Sequence, residues 1–376
     1  MPPKTKNPLP PGNYFFEGNQ ACAEAAIAAG CRFFAGYPIS PSSEIMERLS
    51  WRLPEAGGVF IQMEDEIASI SAVIGAVWAG ARAMTATSGP GLSLMLENIG
   101  YAIITETPCV IVDVQRAGPS TGQATRPYDG DIMQVKWGSS GDYQIIALAP
   151  WSVQEVYDLT IRAFNLAELY RVPVFVMSDA ALAHLREDCR IPEGVDIVGR
   201  KKAIGAPHFG TEGPAGVPPM ASFGEGEGLI LTGSTHDKFG YRKTQDPNIQ
   251  KDLVDRLNEK VLSNAKEIIQ TEEHFLKGAE TVVVAYGLVA RAALAAVKEA
   301  RLGGINVGLL RLKTLWPFPK EEIRALRARR IIVPELNRGQ LVREVERVTK
   351  VEVIYVNRVD GEVMGPGEIL EAIKRG

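Results

Sequence analysis

The chain has few cysteines, and those it has are far apart. Its 376 residues include 4 cysteines, Cys22, Cys31, Cys109 and Cys189, with no C-x-x-C pair among them. Zinc sites and iron–sulfur clusters use closely spaced cysteines, so neither is expected in this chain. Each cysteine lies in or beside an apolar segment, where a reduced thiol behaves as a small buried hydrophobe. Four structural thiols in a reducing cytoplasm are therefore expected.

An excess of one charge and a long apolar run are also missing. Lys and Arg number 41 against 45 Asp and Glu, a net charge of -4, which argues against a nucleic-acid partner. No segment approaches the roughly 18 consecutive apolar residues of a membrane helix. The first residues, MPPKTKNPLPPG, are polar and Pro-rich where a signal peptide would have an apolar core. A cytoplasmic protein without membrane contact is expected.

What the chain does contain is 45% hydrophobic residues, enough for more than one core at about 100 to 200 residues per domain. From Gly18 to about Asp179, short β-rich apolar runs alternate with segments of helical spacing, which predicts a parallel sheet covered on both faces. The predicted strands are 32–37, 59–63, 83–87, 109–114, 144–148 and 172–178, and the predicted helices are 19–29, 42–53, 66–79, 91–103 and 152–169.

A second alternation near the C-terminus predicts a smaller α/β domain. Its strands are predicted at 281–287, 306–312, 330–335 and 352–357, with helices at 288–301, 320–328, 341–348 and from Pro366. The Gly- and Pro-rich stretch from about 190 to 246 is typical of a linker or an extended arm, and a charged helix is predicted at 248–277. We therefore divide the chain into a Pro-rich arm (1–17), an α/β domain (18–190), a connecting segment (191–278) and a second α/β domain (279–376).

Two segments at predicted strand-to-helix junctions are candidates for chemistry. In TSGPGLSLM, Gly89 and Gly91 form a turn that lets the backbone approach a ligand or take a positive φ; a plain tight turn explains them equally well. In MEDEIASIS, Glu64, Asp65 and Glu66 open a helix and could simply complement its positive end. The apolar residues that follow favour burial of one of the three, which would raise its pKa and suit it to share a proton.

Two further segments lie at carboxyl ends of predicted strands, where open α/β sheets bind ligands. In GYPISPSSE, Ser42 or Ser43 fits a helix cap, while the hydroxyl of Ser40 is free for another partner. In VDVQRAGPSTG, Arg116 follows a buried strand and can bind a carboxylate with two hydrogen bonds. A salt bridge from Arg116 to Asp113 or to a neighbouring chain is the structural alternative.

Taken together, these segments resemble the alpha subunit of the thiamine-diphosphate-dependent 2-oxoacid:ferredoxin oxidoreductases, most closely the 2-oxoglutarate branch. The resemblance covers nearly the whole chain. It is carried by GNQACAEAAIAAGCRFFAGYPISPSSEI, QMEDEIASISAVIGAVWAG, MTATSGPGLSLMLENIGYA, DVQRAGPSTGQ, LLRLKTLWPFP, VPELNRGQLVREVER and RVDGE. It implies a pyrimidine-binding domain of the thiamine enzymes followed by a transketolase C-terminal-like domain, each with a doubly wound, mainly parallel sheet.

The resemblance also assigns roles. It implies that Glu66 is the glutamate that hydrogen-bonds N1′ of the aminopyrimidine and activates the cofactor, with Glu64 as the rival position. It places Ser40, where the family often has threonine, and Arg116 on the substrate. It places Pro38, Gly89 and Gly91 beside the cofactor, and it implies no metal ligand in this chain.

One departure from a complete thiamine enzyme limits what this chain can do alone. Diphosphate and Mg²⁺ are usually held by a Gly-Asp-Gly turn followed about two dozen residues later by Asn. Gly141, Asp142 and Asn165 only imitate this motif, because Tyr143 replaces the second Gly and Asn165 falls in a predicted helix. The resemblance therefore implies a beta subunit that carries the diphosphate and Mg²⁺ half-site.

The function that the resemblance implies is CoA-acylating oxidative decarboxylation of 2-oxoglutarate to succinyl-CoA, CO₂ and reduced ferredoxin, or the reverse. It implies a larger hetero-oligomer, with gamma and delta subunits as further candidates, [4Fe–4S] clusters on partner subunits, and ferredoxin as electron acceptor. A branched-chain, aryl or other 2-oxoacid is the alternative substrate. A decarboxylase or acetolactate-type thiamine enzyme, and a non-catalytic scaffold, are alternatives of other classes.

Overall fold

The computed structural model describes residues 4–202, 205–226 and 228–375, and the helices and strands named below lie in those ranges. The elements of the first part are β1 (Lys4–Lys6), β2 (Gly12–Glu17), α1 (Gly18–Ala28), β3 (Phe33–Gly36), α2 (Ser43–Glu55), β4 (Val59–Gln62), α3 (Glu66–Trp78), β5 (Ala83–Thr87), α4 (Gly89–Ile104), β6 (Val110–Gln115), α5 (Ile132–Trp137), β7 (Ile146–Leu148), α6 (Val153–Tyr170), β8 (Val174–Asp179), α7 (Ala180–His184), β9 (Arg186–Ile191) and β10 (Gly194–Asp196). The elements of the second part are α8 (Pro247–Leu262), α9 (Ala265–Ile268), β11 (Thr271–His274), β12 (Thr281–Tyr286), α10 (Val289–Leu302), β13 (Val307–Leu312), β14 (Thr314–Trp316), α11 (Lys320–Arg324), β15 (Arg330–Glu335), α12 (Leu341–Val348), β16 (Glu352–Asn357) and α13 (Pro366–Lys374).

The larger sheet has seven strands in the order β14-β7-β8-β6-β5-β3-β4. The strands from β3 to β8 pair in parallel, and β14 is added antiparallel to β7 at one edge. Helices cover both faces of a parallel sheet, which explains why every residue of β5, β6 and β8 is buried. Strand β14 comes from the C-terminal part of the chain, so the two parts share this sheet.

Side chains of the larger sheet alternate between two separate cores. On β6, Val110, Val112 and Val114 pack with α1, α2 and α6, whereas Ile111 packs with α3 and α4. Since successive side chains of a strand point to opposite faces, Asp113 lies on the α3 and α4 side. Helices therefore cover both faces, and the one charged residue of β6 points toward the helix that begins at Glu66.

The smaller sheet has five strands in the order β11-β13-β12-β15-β16, parallel except for β11. One of its faces packs against α10 and α13. The other face, which includes Val282, Val284 and Val333, joins the same core as α3 and α4 of the larger sheet. The α/β class and the two doubly wound, mainly parallel sheets expected from the sequence are confirmed; the domain limits inferred there stay a prediction.

One local prediction is wrong. The charged helix predicted at 248–277 ends at Leu262, where the Asn264 side chain binds the carbonyl of Lys260 and so satisfies the helix end. Thr271–His274 then forms β11, which pairs with β13. The Gly- and Pro-rich stretch, for which a linker or an extended arm stays the prediction, is held against the core at two points. The buried guanidinium of Arg171 donates to the carbonyls of His208 and Pro219.

The predicted N-terminal arm is tied down from Lys4 onward. Strand β1 pairs with β10 and β2 pairs with β9, both antiparallel. All four cysteines are free and buried, as expected. Across the described ranges, no helix is both long and apolar enough to span a bilayer.

Candidate active site

Three adjacent parallel strands deliver the candidate residues to one edge of the larger sheet. Strands β3, β5 and β6 are neighbours, and their carboxyl ends lead to Ser40, to Gly89 and Gly91, and to Arg116. The carboxyl edge of an open α/β sheet is where the crevice for a ligand forms. Segments far apart in sequence are brought together because the strands that precede them are paired.

The three acidic residues before α3 have three different environments. Glu64 is exposed. Asp65 is the N-cap of α3, and its carboxylate accepts a hydrogen bond of 2.7 Å from the Ala68 amide. Glu66 is buried at 4% exposure, and burial raises its pKa, Asp65 raises it further and Arg116 opposes the rise. Of the three, Glu66 has the environment that suits proton sharing.

Gly91 is required by the close approach of Glu66. A Cβ atom at residue 91 would lie 2.3 Å from Oε1 of Glu66 and 2.2 Å from Oγ1 of Thr87, closer than any real contact. At Gly89 the nearest atom would be Oδ2 of Asp131 at an ordinary 3.6 Å. Neither glycine has a positive φ, so that explanation is wrong for both. Gly91 allows a carboxyl group to lie on the first turn of α4.

Arg116 is buried and joins the loops after β3 and β6. Its Nη1 donates a 2.7 Å hydrogen bond to the backbone carbonyl of Ser40, and its Nε has no partner among the described residues. Burial lowers the pKa of Arg116, while Asp131 and Glu66 favour its charged form. No salt bridge joins Arg116 to Asp113, so this structural alternative is wrong; a salt bridge from Arg116 to a neighbouring chain stays the other alternative. The guanidinium keeps unused donors for an anionic ligand.

The loop after β3 presents Pro38 and Ser40 at the surface, both exposed. Ser42 does not cap α2 with its side chain; its hydroxyl donates to the carbonyl of Ile39 instead. The loop is anchored from α1, where the buried Asn19 amide donates 2.8 Å hydrogen bonds to the Pro41 carbonyl and to Glu44. The backbone of Ser40 is thus held beside Arg116, and residue 40 remains exposed.

Sequence reasoning missed two carboxyl groups, Asp113 and Asp131, as parts of the site. Asp113 is fully buried on β6, and burial together with the adjacent Asp131 raises its pKa well above the usual range. Burial raises the pKa of Asp131 to about 6. A charged residue inside the apolar run VIVDVQ was a usable signal for Asp113. Asp131 has no local signal, since it reaches the site only through the loop that follows β6.

Buried polar atoms without a partner concentrate at this edge. Among the described residues they include Oγ1 of Thr85, Oγ of Ser88, both carboxyl oxygens of Asp113, Oδ2 of Asp131 and Nε of Arg116. Unsatisfied buried groups are expensive and usually mark a functional site or a missing ligand. A buried glutamate with a raised pKa beside such groups fits an aminopyrimidine, whose ring nitrogen needs a carboxyl partner.

The smaller sheet completes the site by holding the loop that carries Asp131. The Asn337 amide donates to the Asp129 carbonyl at 2.7 Å, and the Gln340 amide donates to the Gly130 carbonyl at 2.6 Å. Glu335 fixes this segment by accepting from the amides of Leu341 and Val342 at the start of α12. The segment VPELNRGQ (333–340) therefore holds the loop that carries Asp131 in place.

A cavity of about 360 Å³ opens beside these groups. It includes Gly89 and Arg116, and its other polar side chains are Ser93, Ser120, Tyr128, Asp131, Gln134 and Gln340. Asn165, which imitates a metal-motif asparagine in the sequence, lies elsewhere on α6 and binds the Asp196 carbonyl and the Val198 amide. Its side chain has a structural role on the far side of the sheet.

Comparison with known proteins agrees with this geometry. Residues 24–255 match the family described as "Pyruvate flavodoxin/ferredoxin oxidoreductase, thiamine diP-bdg", and residues 279–369 match "Pyruvate:ferredoxin oxidoreductase core domain II". The chain is 52% identical to the 2-oxoglutarate synthase subunit KorA of Methanocaldococcus jannaschii over 96% of this chain and 98% of that protein. It is 39% identical to the ketoisovalerate oxidoreductase subunit VorB of Methanothermobacter thermautotrophicus, over 95% of this chain and 96% of that one.

Solved structures give the same relationship. The 2-oxoglutarate:ferredoxin oxidoreductase from Magnetococcus marinus, determined with 2-oxoglutarate, coenzyme A and succinyl-CoA bound, matches with a TM-score of 0.91 and 32% identity. The match covers 97% of this chain and 65% of that chain. A split-gene transketolase shares the fold, with a TM-score of 0.54 at 13% identity. The chain belongs to the pyruvate flavodoxin/ferredoxin oxidoreductase family, as a member with the thiamine-diphosphate-binding domain and core domain II in one polypeptide.

Proposed function

We propose that this chain is the alpha subunit of a CoA-acylating 2-oxoglutarate:ferredoxin oxidoreductase, which converts 2-oxoglutarate, CoA and oxidised ferredoxin to succinyl-CoA, CO₂ and reduced ferredoxin, or the reverse. The assignment of 2-oxoglutarate as the substrate rests on the 52% identity to a 2-oxoglutarate synthase subunit along almost the full length of both chains. The ketoisovalerate subunit is matched at 39%. A branched-chain 2-oxoacid is therefore the second candidate.

The chemistry of the cavity supports the first candidate. 2-Oxoglutarate carries a carboxylate at each end, and a branched-chain acid carries an apolar group at the end away from the oxo group. Besides Arg116, the cavity presents hydroxyl and amide groups from Ser93, Tyr128, Gln134 and Gln340. Such donors suit a second carboxylate, whereas an isopropyl group prefers an apolar wall.

Each candidate residue has one task in this proposal. When bound, thiamine diphosphate would supply a carbon nucleophile for the 2-oxo group and a store for the electrons left by loss of CO₂. Glu66 would hold a proton against N1′ of its pyrimidine, with Gly91 leaving the space in which that carboxyl lies. Arg116 would bind the 2-oxoacid carboxylate, and the hydroxyl of Ser40 would bind the oxo group or the same carboxylate. Pro38 and Gly89 would line the approach to the cofactor.

Partner subunits complete the proposal. The diphosphate and Mg²⁺ half-site is assigned to a beta subunit, because the imitation motif in this chain is occupied by structural contacts of Asn165. The [4Fe–4S] clusters are assigned to partners, because the four cysteines are buried and separate and burial raises the pKa of each thiol to about 12. A thiol with so high a pKa stays protonated near neutral pH, whereas the ligand of an iron–sulfur cluster is the thiolate.

A substrate panel on the purified complex tests the proposal. CoA-dependent reduction of ferredoxin is measured with 2-oxoglutarate, 2-oxoisovalerate, pyruvate and phenylpyruvate at equal concentrations. The highest kcat/KM is expected for 2-oxoglutarate. A higher value for 2-oxoisovalerate would move the chain to the ketoisovalerate branch, and activity with none of the acids would support the scaffold alternative.

The half-site argument has its own test on the chain alone. The purified chain should bind thiamine diphosphate weakly, with no gain on adding Mg²⁺, and should be colourless. Tight, Mg²⁺-dependent binding in calorimetry would place the diphosphate site in this chain and favour a self-contained decarboxylase. Iron and acid-labile sulfide in the purified chain would contradict the assignment of the clusters.

A further inference from the structure

Asn19, the second residue of α1, is 2% exposed and contacts the loop between β3 and α2. Its backbone is placed by its neighbours in the chain, because Glu17 pairs with Arg186 at the end of β2. At residue 18, α1 approaches α7 so closely that a Cβ atom would lie 2.3 Å from the carbonyl oxygen of Leu182, a contact that only glycine avoids. The side chain of Asn19 therefore starts from a fixed point.

Both hydrogens of the Asn19 amide group are used. Its Nδ2 donates to the carbonyl of Pro41 and to Oε2 of Glu44, each at 2.8 Å. Glu44, in the first turn of α2, also contacts His184 at the end of α7 at 3.3 Å. An amide nitrogen carries two donors, so these two acceptors satisfy it completely. Asn19 thus joins α1 to the loop and to α2.

Arg116 depends on the same loop. In the described part of the chain, its Nη1 is fixed by the 2.7 Å hydrogen bond to the Ser40 carbonyl, whereas Nε has no partner. The next carbonyl along the chain, that of Pro41, is the one that Asn19 holds. The ring of a proline fixes φ, which leaves little freedom between these two carbonyl groups. The loop is therefore held at consecutive residues, by Arg116 at one and by Asn19 at the other.

We infer that Asn19 is a positioning residue: by holding the Pro41 carbonyl, it fixes the Ser40 carbonyl and, through it, the guanidinium of Arg116. Without this bond the Ser40 carbonyl is free to move, and the guanidinium that it orients moves with it. Misplacement of a group that orients the substrate by about 1 Å can cost about 10²-fold in rate. This inference rests on the proposed function, in which Arg116 binds the 2-oxoacid carboxylate.

Asn19→Ala in the assembled complex is the direct test, since it removes both hydrogen bonds. The KM for 2-oxoglutarate should rise about tenfold, with kcat changed less than about threefold, because a displaced guanidinium weakens binding of the carboxylate and leaves Glu66 in place. Asn165→Ala is the matched control: that side chain also holds backbone groups of another segment, at Asp196 and Val198, and its loss should leave KM unchanged. An unchanged KM in Asn19→Ala would overturn the inference.

Glu44→Ala separates the two hydrogen bonds of Asn19. This variant removes the acceptor on α2 and keeps the bond to the Pro41 carbonyl, so KM should change less than about twofold. If Glu44→Ala raised KM as much as Asn19→Ala does, the contact with α2 would be the one that matters, and the route through Pro41 would be wrong.

A double-mutant cycle shows whether Asn19 acts through Arg116. Residues that act as a unit are not additive, so Asn19→Ala combined with Arg116→Ala should lower kcat/KM less than about threefold beyond Arg116→Ala alone. A general loss of structure would not give this result, because it would add to the loss of Arg116. Two full effects that multiply would mean that Asn19 acts independently of Arg116, and the inference would fail.

Two further outcomes keep the test decisive. If Asn19→Ala fails to assemble, Asn19→Ser takes its place: its hydroxyl ends one bond short of the amide nitrogen, so the bond to Pro41 is lost and KM should still rise, and an unchanged KM would contradict the inference. Failure of the proposed function looks different, because the unmodified complex would then oxidise no 2-oxoacid. An active unmodified complex whose KM does not respond to Asn19 removes only the positioning role.

Discussion

Two buried carboxyl groups of the first α/β region, Glu106 and Asp113, are treated in opposite ways. Glu106 is 0% exposed and contacts Arg256 at 2.9 Å and Lys260 at 2.7 Å. Despite the cost of burial, the cations Lys260, Arg256 and Arg171 lower the pKa of Glu106 to about 2. Asp113 is equally buried, has no cation in contact and has its pKa raised well above the usual range.

The difference separates a structural ion-pair cluster around Glu106, called the anchor below, from the candidate active site around Asp113. At Glu106, Arg256 and Lys260 from α8 bind the carboxylate, while Arg171 at the end of α6 donates to the backbone carbonyl of Glu106. Arg171 also holds the segment around His208 and Pro219. Removing one partner of such a buried pair leaves an uncompensated buried charge, which is strongly destabilising. At the sheet edge, Glu66, Asp113 and Asp131 are left undercompensated, which destabilises their charged forms and keeps protons available there.

The largest effect on kcat is expected at Glu66, the buried acid proposed to activate the cofactor. Glu66→Gln should lower kcat of the complex by about 10²- to 10⁴-fold, because a neutral amide cannot share a proton with N1′ of the pyrimidine. The melting temperature should hold or rise, since an unfavourable buried acid is replaced by an amide of the same shape. Steady-state kinetics and thermal unfolding of the same preparation measure both.

Glu64→Gln is the matched control, because Glu64 is exposed and lies in the same acidic triplet. It should change kcat less than about twofold. If Glu64→Gln proved severe and Glu66→Gln mild, the assignment of the activating glutamate would shift by two positions.

The opposite effect is expected at the anchor. Glu106→Gln leaves the buried cations Arg256 and Lys260 without their counter-ion, and removing one partner of a buried pair costs about 3–5 kcal/mol. The free energy of unfolding, measured by denaturant titration, should fall by that amount while kcat of the folded complex is retained. Glu321→Gln, in an exposed pair with Arg324, should cost at most about 1 kcal/mol.

The anchor also predicts how stability depends on pH. A carboxyl group whose pKa is lower in the folded state stabilises the fold fully above its unfolded pKa, about 4.3 for glutamate. The contribution of Glu106 is lost as the pH falls through its folded value of about 2. Glu106→Gln should therefore flatten the loss of stability between those limits. An equally steep loss in the variant would show that other carboxylates dominate.

The fold was readable from the sequence because its signals are local. Strands 83–87 and 330–335 and helix 341–348 are correct to the residue, since each is an apolar run or an amphipathic segment with a clear start and stop. The predicted helix 248–277 is wrong in its second half. Residues 271–274 form the strand β11 because they pair with β13, and this tertiary contact leaves no signal in the local sequence. The position of β14 in the larger sheet was invisible for the same reason.

The candidate site was readable only in part. Glu66, Gly91 and Arg116 stand at strand or helix ends, where the rule for α/β sheets applies. The hydrogen bonds of Asn337 and Gln340 to the loop that carries Asp131, and the effect of Asp131 on the pKa of Asp113, depend on how two sheets and one loop meet. Sequence spacing does not show which distant segments come into contact, so these residues could be identified only from the structure.

A smaller effect is expected at Arg116, whose charged form Asp131 and Glu66 favour. Arg116→Lys keeps the charge and loses the planar fork, so kcat/KM for the 2-oxoacid should fall by about 10- to 100-fold while thiamine diphosphate affinity is kept. Substrate kinetics and calorimetry of cofactor binding, made on the same complex, check this. Loss of assembly with normal kinetics in the remaining complex would instead give Arg116 a structural role.

The smallest effect is expected at Gly91, where the carboxyl group of Glu66 lies against the backbone of α4. In Gly91→Ala the new methyl group would lie 2.3 Å from Oε1 of Glu66, so the carboxyl group or α4 must shift. Overpacking of this kind costs about 1–3 kcal/mol, and a displaced Glu66 should lower kcat about tenfold. Gly75→Ala is the matched control: residue 75 lies in the exposed middle of α3 with open space around it, and alanine should stabilise that helix by about 0.5–1 kcal/mol without affecting kcat. Unchanged kcat in Gly91→Ala would mean that Glu66 can act from a second position, and the argument that the glycine exists to admit that carboxyl would fail.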